Sequence, residues 1–197
     1  MTPVHSFREV PADFGRELLL ATLLPAMPLL PASTTAHAAV LLCCVNANEP
    51  YLLLTQRSAN LSYHASQISL PGGRIEPADI SLEATALRET YEEIGLDPYL
   101  PETLGRLPDT RVSSGIMITP VVAWCEQEPE LSHNPAEVAE IIRLPLQLAL
   151  DASLYGTDQL ERDGESRQFR FLRYGEHYIW GATARILLSL AELARSA

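Results

Sequence analysis

Gly72-Gly73-Arg74-Ile75-Glu76 leads through a short acidic stretch into Arg88-Glu89-Thr90-Tyr91-Glu92-Glu93-Ile94-Gly95-Leu96. A glycine turn feeding a carboxylate-bearing helix is the feature that most restricts the fold. Leu82, Ala86, Leu87, Thr90 and Ile94 recur at three- and four-residue spacing, which predicts a helix over 81–94. Asp79 or Ser81 caps its start, Glu83 suits the positive end of the helix, and Gly95 stops it in a left-handed conformation. At roughly 100° of rotation per residue, Glu89, Glu92 and Glu93 point into one arc. Like charges at those spacings repel by a few tenths of a kcal/mol per pair. A hard divalent cation with oxygen ligands offsets that cost; a solvated acidic face is the plainer alternative. The flanking residues favour the first, because Gly72 and Gly73 have no Cβ to keep bare backbone away from a ligand. A close-approach loop and an acidic cluster facing one space make a metal–phosphate site.

These residues resemble the box of the Nudix hydrolases. Gly73, Asp79, Arg88, Glu89, Glu92, Glu93, Gly95 and Leu96 fill its places. Asp79 stands where a glutamate is usual, one extra residue near Ile80 precedes Arg88, and Thr90 takes an aliphatic position. The approach to the box, Leu54-Thr55-Gln56-Arg57-Ser58 with Leu61, His64, Gln67 and Pro71-Gly72-Gly73, resembles the coenzyme A pyrophosphatase branch, which carries the same longer spacing. Ser114-Gly115 before Thr119-Pro120-Val121-Val122, Glu137-Val138 before Leu144-Pro145-Leu146, and Tyr178 to Ala184 extend the likeness. Ser62, Ser66 and Leu70 depart from it, standing where that branch has arginine, glycine and phenylalanine. The missing arginine removes a cation suited to bidentate phosphate contact.

The resemblance implies an α/β fold, a Nudix-type α/β/α sandwich with a mixed sheet, and hydrolysis of a diphosphate linked to another group. Mg2+ or Mn2+ falls to Glu89, Glu92 and Glu93, with the Gly73 carbonyl completing the shell. Arg88 organises the carboxylates. Glu89 is the favoured general base and Glu137 the competitor, although Glu137 reads equally as an acid starting a helix. Arg57, Tyr63, His64, Gln67 and Gly72 are the substrate-binding candidates. A coenzyme A or acyl-coenzyme A substrate comes first. Another nucleoside diphosphate derivative, or a catalytically silent ligand-binding domain, are the alternatives.

Composition agrees with one enzyme domain. A chain of 197 residues with 47% hydrophobic content buries an ample core. Its net charge of -11 argues against nucleic acid as partner, since phosphate-backbone binding needs a basic surface. Cys43, Cys44 and Cys125 are odd in number and two are adjacent in an apolar run, which reads as reduced core thiols in a cytoplasmic protein. Residues 18–30 are apolar, but acidic flanks and Pro25 and Pro28 argue against a signal peptide or membrane span. The expectation is a helix from about Asp13 to Leu24 and a Pro-rich connector, together 1–37, packed on a domain of 38–197. A homodimer stays open. Strands are expected over 38–45, 51–56, 67–70, 104–107 and 116–125. A helix is expected over 136–142, a hairpin around Gly175 and a closing helix over 182–194.

Overall fold

Alternation along the strand His37–Val45 (β1) sets the architecture. Ala39, Leu41, Cys43 and Val45 enter one core, while Leu42 and Cys44 enter another. Successive strand side chains point to opposite faces, so a strand apolar on both must be covered on both. The structure, a computed structural model, describes residues 16–17, 19–20, 37–162 and 165–196.

β1 runs parallel to Met117–Cys125 (β7), from His37 opposite Met117 to Val45 opposite Cys125. Its other edge is shared. Tyr51–Arg57 (β2) pairs with its end, and Gly72–Arg74 (β4) pairs with its beginning, both antiparallel. Ile68–Ser69 (β3) and Val138–Pro145 (β8) flank β2, whereas Glu102–Arg106 (β5) and Thr110–Arg111 (β6) pair with β7. The result is a mixed eight-stranded sheet.

Helix Leu82–Ile94 (α1) covers one face, burying Leu82, Ala86 and Ile94 against Leu41, Cys43 and Val121. The other face is covered by Leu146–Leu150 (α2), Gly181–Ala194 (α3) and a three-stranded antiparallel sheet. That sheet comprises Gly156–Arg162 (β9), Glu165–Tyr174 (β10) and His177–Trp180 (β11). Ile186, Leu187 and Leu190 of α3 pack there with Leu54, Trp124 and Leu144. Leu19, one of four helical residues described near the N-terminus, is fully buried in this second core. Arg16 meets Glu102 at 2.7 Å. The remainder of the expected 13–24 helix and the Pro-rich connector lie outside the described residues. The three thiols are free and buried, as reduced core cysteines should be.

Two local expectations need correction. The stretch 136–142, expected as a helix, is a turn followed by β8. Ile142 and Leu144 are buried while Ile141 is half-buried and Arg143 exposed, so strand alternation fits there, and β2 supplies the ladder. With that, Glu137 cannot be a helix-start acid. β9 was not expected, because Gly-Thr-Asp-Gln-Leu-Glu-Arg has no apolar alternation; its register on β10 forms it.

At the start of α1, Ser81 rather than Asp79 is the cap: its Oγ accepts from the Ala84 N–H at 3.1 Å. Ser81→Ala should lower the unfolding free energy by about 1 kcal/mol in denaturant melts while preserving turnover. A loss well beyond that would mean Ser81 also supports the neighbouring loop.

Candidate active site

The glycine turn is pressed against the sheet. Leu41 donates its N–H to the Pro71 carbonyl at 2.8 Å, and β4 continues along β1. Gly72 has φ +144°, and a Cβ there would run into the Ala39 carbonyl and Val40 Cα. A Cβ on Gly73 would collide with the Glu89 carboxylate. Position 72 therefore requires glycine for its conformation, whereas a side chain at position 73 would displace the end of Glu89.

Asp79 holds the returning loop to α1. Arg88 donates through Nε to its Oδ1 at 2.9 Å and through Nη2 to its Oδ2 at 3.0 Å. The Glu76 N–H and Thr85 hydroxyl also donate to Oδ2. With all these donors Asp79 is fully occupied, and Arg88 above all lowers its pKa to about 2. The same guanidinium donates from Nη1 to Glu89 at 3.0 Å and to Glu92 at 3.3 Å, and from Nη2 to the Arg74 carbonyl. Three acids around one cation raise the Arg88 pKa.

Glu89 and Glu93 are the inward carboxylates. Burial pushes Glu89 up, the Arg88 charge opposes this, and Glu92 and Glu137 add to it. Glu93 is 3% exposed, and burial pushes it to about 7 against the opposing effects of Arg57 and a Gly72 backbone hydrogen bond. Arg57 Nη1 lies 3.8 Å from Glu93 Oε1. Glu137 reaches the same region from the turn before β8. Asn134 donates its side-chain amide to Glu137 at 3.1 Å and its backbone N–H to the Glu93 carbonyl at 2.9 Å. The Glu137 carbonyl accepts from the Ser58 N–H at 2.8 Å.

The 58–67 loop projects from the end of β2. Arg57 closes it with two backbone hydrogen bonds, to Gln67 and from Ser66. His64 Nδ1 lies 2.8 Å from Gln67 Oε1, so these two candidates brace each other. Tyr63 is 81% exposed and stands clear of the carboxylates' hydrogen-bond network. Ser114-Gly115 forms a plain turn, Gly115 at φ +87° donating to the Val112 carbonyl. Trp180 packs edge-on against Phe169 at 5.4 Å. Sequence reasoning missed the Asn134 link and the Thr85 support of Asp79. The Asn-Pro pair at 134–135 was the available signal for a turn presenting Glu137.

The residues present fit a hard divalent cation. Their donors are all oxygen, the Glu89 carboxylate lies directly against the Gly73 backbone, and Glu93 Oε2 is buried with no hydrogen-bond partner. Among the described residues no three acid, imidazole or thiol side chains already converge as a ligand set, since Arg88 draws Glu89 and Glu92 to itself.

An α/β/α sandwich carrying a glycine turn and an arginine-centred set of glutamates defines a pyrophosphohydrolase. A family model described as the NUDIX domain matches residues 35–174, and the chain belongs to the Nudix family. Nudix hydrolase NudL of Photorhabdus laumondii, described as uncharacterized, is 41% identical over 169 residues, covering 86% of this chain and 90% of that one. Its Yersinia pestis counterpart, with the same description, is 37% identical over 161 residues, covering 82% and 81%. Among solved structures, a MutT/nudix family protein from Enterococcus faecalis has the same fold, with TM-score 0.50 and 18% identity over 83% of this chain and 63% of that one. The chain is a Nudix hydrolase, and such enzymes generally use Mg2+ or Mn2+. Among the described residues no helix is long and apolar enough to cross a membrane.

The raised Glu93 pKa has a defined sign. Below about 4.5 both folded and unfolded states hold the proton; between there and about 7 only the folded state does. Stability therefore falls as pH rises through that window and levels off above it. In chelator-treated protein, Glu93→Gln should be more stable than wild type by a few kcal/mol at pH 8, with the gap closing towards pH 4.5. A gap independent of pH would show that Glu93 ionises normally.

Proposed function

We propose that the chain hydrolyses the diphosphate of coenzyme A or acyl-coenzyme A, giving 4'-phosphopantetheine derivatives and adenosine 3',5'-bisphosphate. The observation that carries this reading is the placement of the 58–67 loop. Its signature residues His64 and Gln67 brace each other, and Arg57 at its base reaches Glu93 on α1. Glu89, Glu92 and Glu93, with the Gly73 carbonyl, would hold Mg2+ or Mn2+. When bound, the cation supplies charge neutralisation for the diphosphate and acidifies water.

The chain's own groups do the rest. Arg88 fixes the carboxylates, Gly72 and Gly73 bring backbone close to the phosphates, and Arg57, His64 and Gln67 receive the substrate, with Tyr63 offering a stacking surface. Glu89 accepts the proton of the attacking water; its pKa, raised mainly by burial, moves it towards that task. Glu137 is the second candidate for that step, held by Asn134. Three free buried thiols support a cytoplasmic setting, and the burial of Leu19 supports the N-terminal segment as a packed extension.

A second reading, hydrolysis of a dinucleotide or ADP-ribose-like compound, is favoured by Ser62. It is exposed and offers one neutral donor where a guanidinium would read the coenzyme A 3'-phosphate. Purified protein with Mg2+ or Mn2+ should cleave coenzyme A in a panel with NADH, ADP-ribose and diadenosine polyphosphates, read by product masses. Cleavage confined to the others would replace the first reading with the second. Ser62→Arg should raise the preference for coenzyme A over dephospho-coenzyme A by about tenfold to a hundredfold, the worth of a charge-assisted contact. An unchanged ratio would place 3'-phosphate recognition elsewhere.

Glu89→Gln should lower turnover by orders of magnitude while leaving chelator-treated stability equal or higher. Near-normal turnover in Glu89→Gln together with an inactive Glu137→Gln would transfer the base to Glu137.

A further inference from the structure

Two buried side-chain atoms among the described residues have no hydrogen-bond partner: Arg57 Nε and Glu93 Oε2. Both belong to one ion pair. Buried polar groups are nearly always satisfied, so two orphans on the partners of one ion pair need a physical reason. Their 3.8 Å contact, between Arg57 Nη1 and Glu93 Oε1, is too long for a hydrogen bond. Arg57 is thus an electrostatic counter-ion to Glu93 that leaves its own Nε and the Glu93 Oε2 without hydrogen-bond partners.

The backbone gives this loose pair a place. The β2–β8 register shifts between Gln56 and Arg57, and such an irregularity re-aims a side chain. Arg57 then closes the 58–67 loop through its own N–H and carbonyl, at 2.9 and 3.1 Å. The next residue, Ser58, holds the Glu137 carbonyl. Arg57 and Ser58 together therefore join the loop, the buried acid of α1 and the turn bearing Glu137.

We propose that Arg57 is a positioning residue that couples cation binding at Glu93 to anion binding at the base of the 58–67 loop. This rests on the reading of Glu93 as a cation ligand. A divalent cation taking the free Glu93 oxygen replaces Arg57 as the neutralising charge. The guanidinium, released from its counter-ion, turns its unused donors to a phosphate oxygen. Without the cation, Glu93 competes with the anion for Arg57. The two ligands consequently favour each other, and the coupling is reciprocal.

The test is a linked calorimetric titration of the full chain, stripped with chelator, using Mg2+ and methylenediphosphonate as a non-hydrolysable diphosphate. Mg2+ bridges any diphosphate to some degree, so the comparison is between wild type and Arg57→Gln. Arg57→Gln should bind the diphosphonate more weakly than wild type, by a much smaller margin without Mg2+ than with it. The factor by which Mg2+ tightens that binding should fall about tenfold, within the usual range of coupling between sites. Arg57→Lys keeps the charge but loses the planar fork, so it should fall between the two, and it serves in place of Arg57→Gln if that variant does not fold. An undiminished Mg2+ factor in the folded variants overturns the proposal. So does an equal weakening with and without Mg2+, which is the behaviour of a plain anion contact. A wild-type melting temperature indifferent to Mg2+ removes the cation reading of Glu93 and this inference with it. An Mg2+ response with equal coupling in all three proteins removes the inference alone.

Discussion

The double hydrogen bond from Arg88 to Asp79 is the contact on which the rest of the site depends. It joins a residue of the loop leaving β4 to one in the middle of α1, across nine positions of sequence. Asp79 is buried, so removing Arg88 strands its charge in a poorly solvated place; such breaks typically cost about 3–5 kcal/mol. The arginine has further donors in its fork, and these set Glu89 and Glu92. A lysine could not do this, having a point charge in place of a planar fork. Geometry also accommodates the chain's departure from the usual box. Ile80, beside the extra residue, is 83% exposed, so the added length is turned to solvent and Ser81 still caps the helix.

Much of this was readable in the sequence, for local reasons. The span of α1 followed from apolar spacing, a serine before it and a glycine after it, all signals acting within a few residues. β1 followed from an unbroken apolar run, and the hairpin at Gly175 from a glycine between two alternating stretches. Non-local pairing was not readable. Whether 136–142 forms helix or strand is decided by β2, some eighty positions upstream, whose edge offers a ladder to this segment. The charge-bearing ends of the site behave alike. Asp79 looked like a helix cap because its four hydrogen bonds exist only after the loop folds back. The Arg57–Glu93 pair joins elements with no shared sequence signal.

Main-chain contacts relieve the acidic side chains of structural duty. The backbone carbonyls of Glu93 and Ile94 accept from Asn134 and Ser132, and that of Glu137 accepts from Ser58. The elements bearing Glu93 and Glu137 are thereby registered largely through backbone, and Glu93 keeps one carboxylate oxygen without a hydrogen-bond partner. Glycine serves the same end at 72 and 73, where backbone rather than side chain defines the wall. What remains is a group of mutually repelling acids, two with pKa values raised chiefly by burial, balanced by Arg88 and Arg57. This arrangement is costly to fold and suited to receiving positive charge.

That claim has a direct measurement: the anomalous difference map of crystals soaked in Mn2+. The account predicts a peak at oxygen-ligand distances of about 2.0–2.6 Å from carboxylate oxygens of Glu92 and Glu93, bordered by Glu89 and the Gly73 carbonyl. Arg57 and Arg88 should remain outside that shell. A fully occupied peak elsewhere, with Glu93 still facing only Arg57, would contradict it.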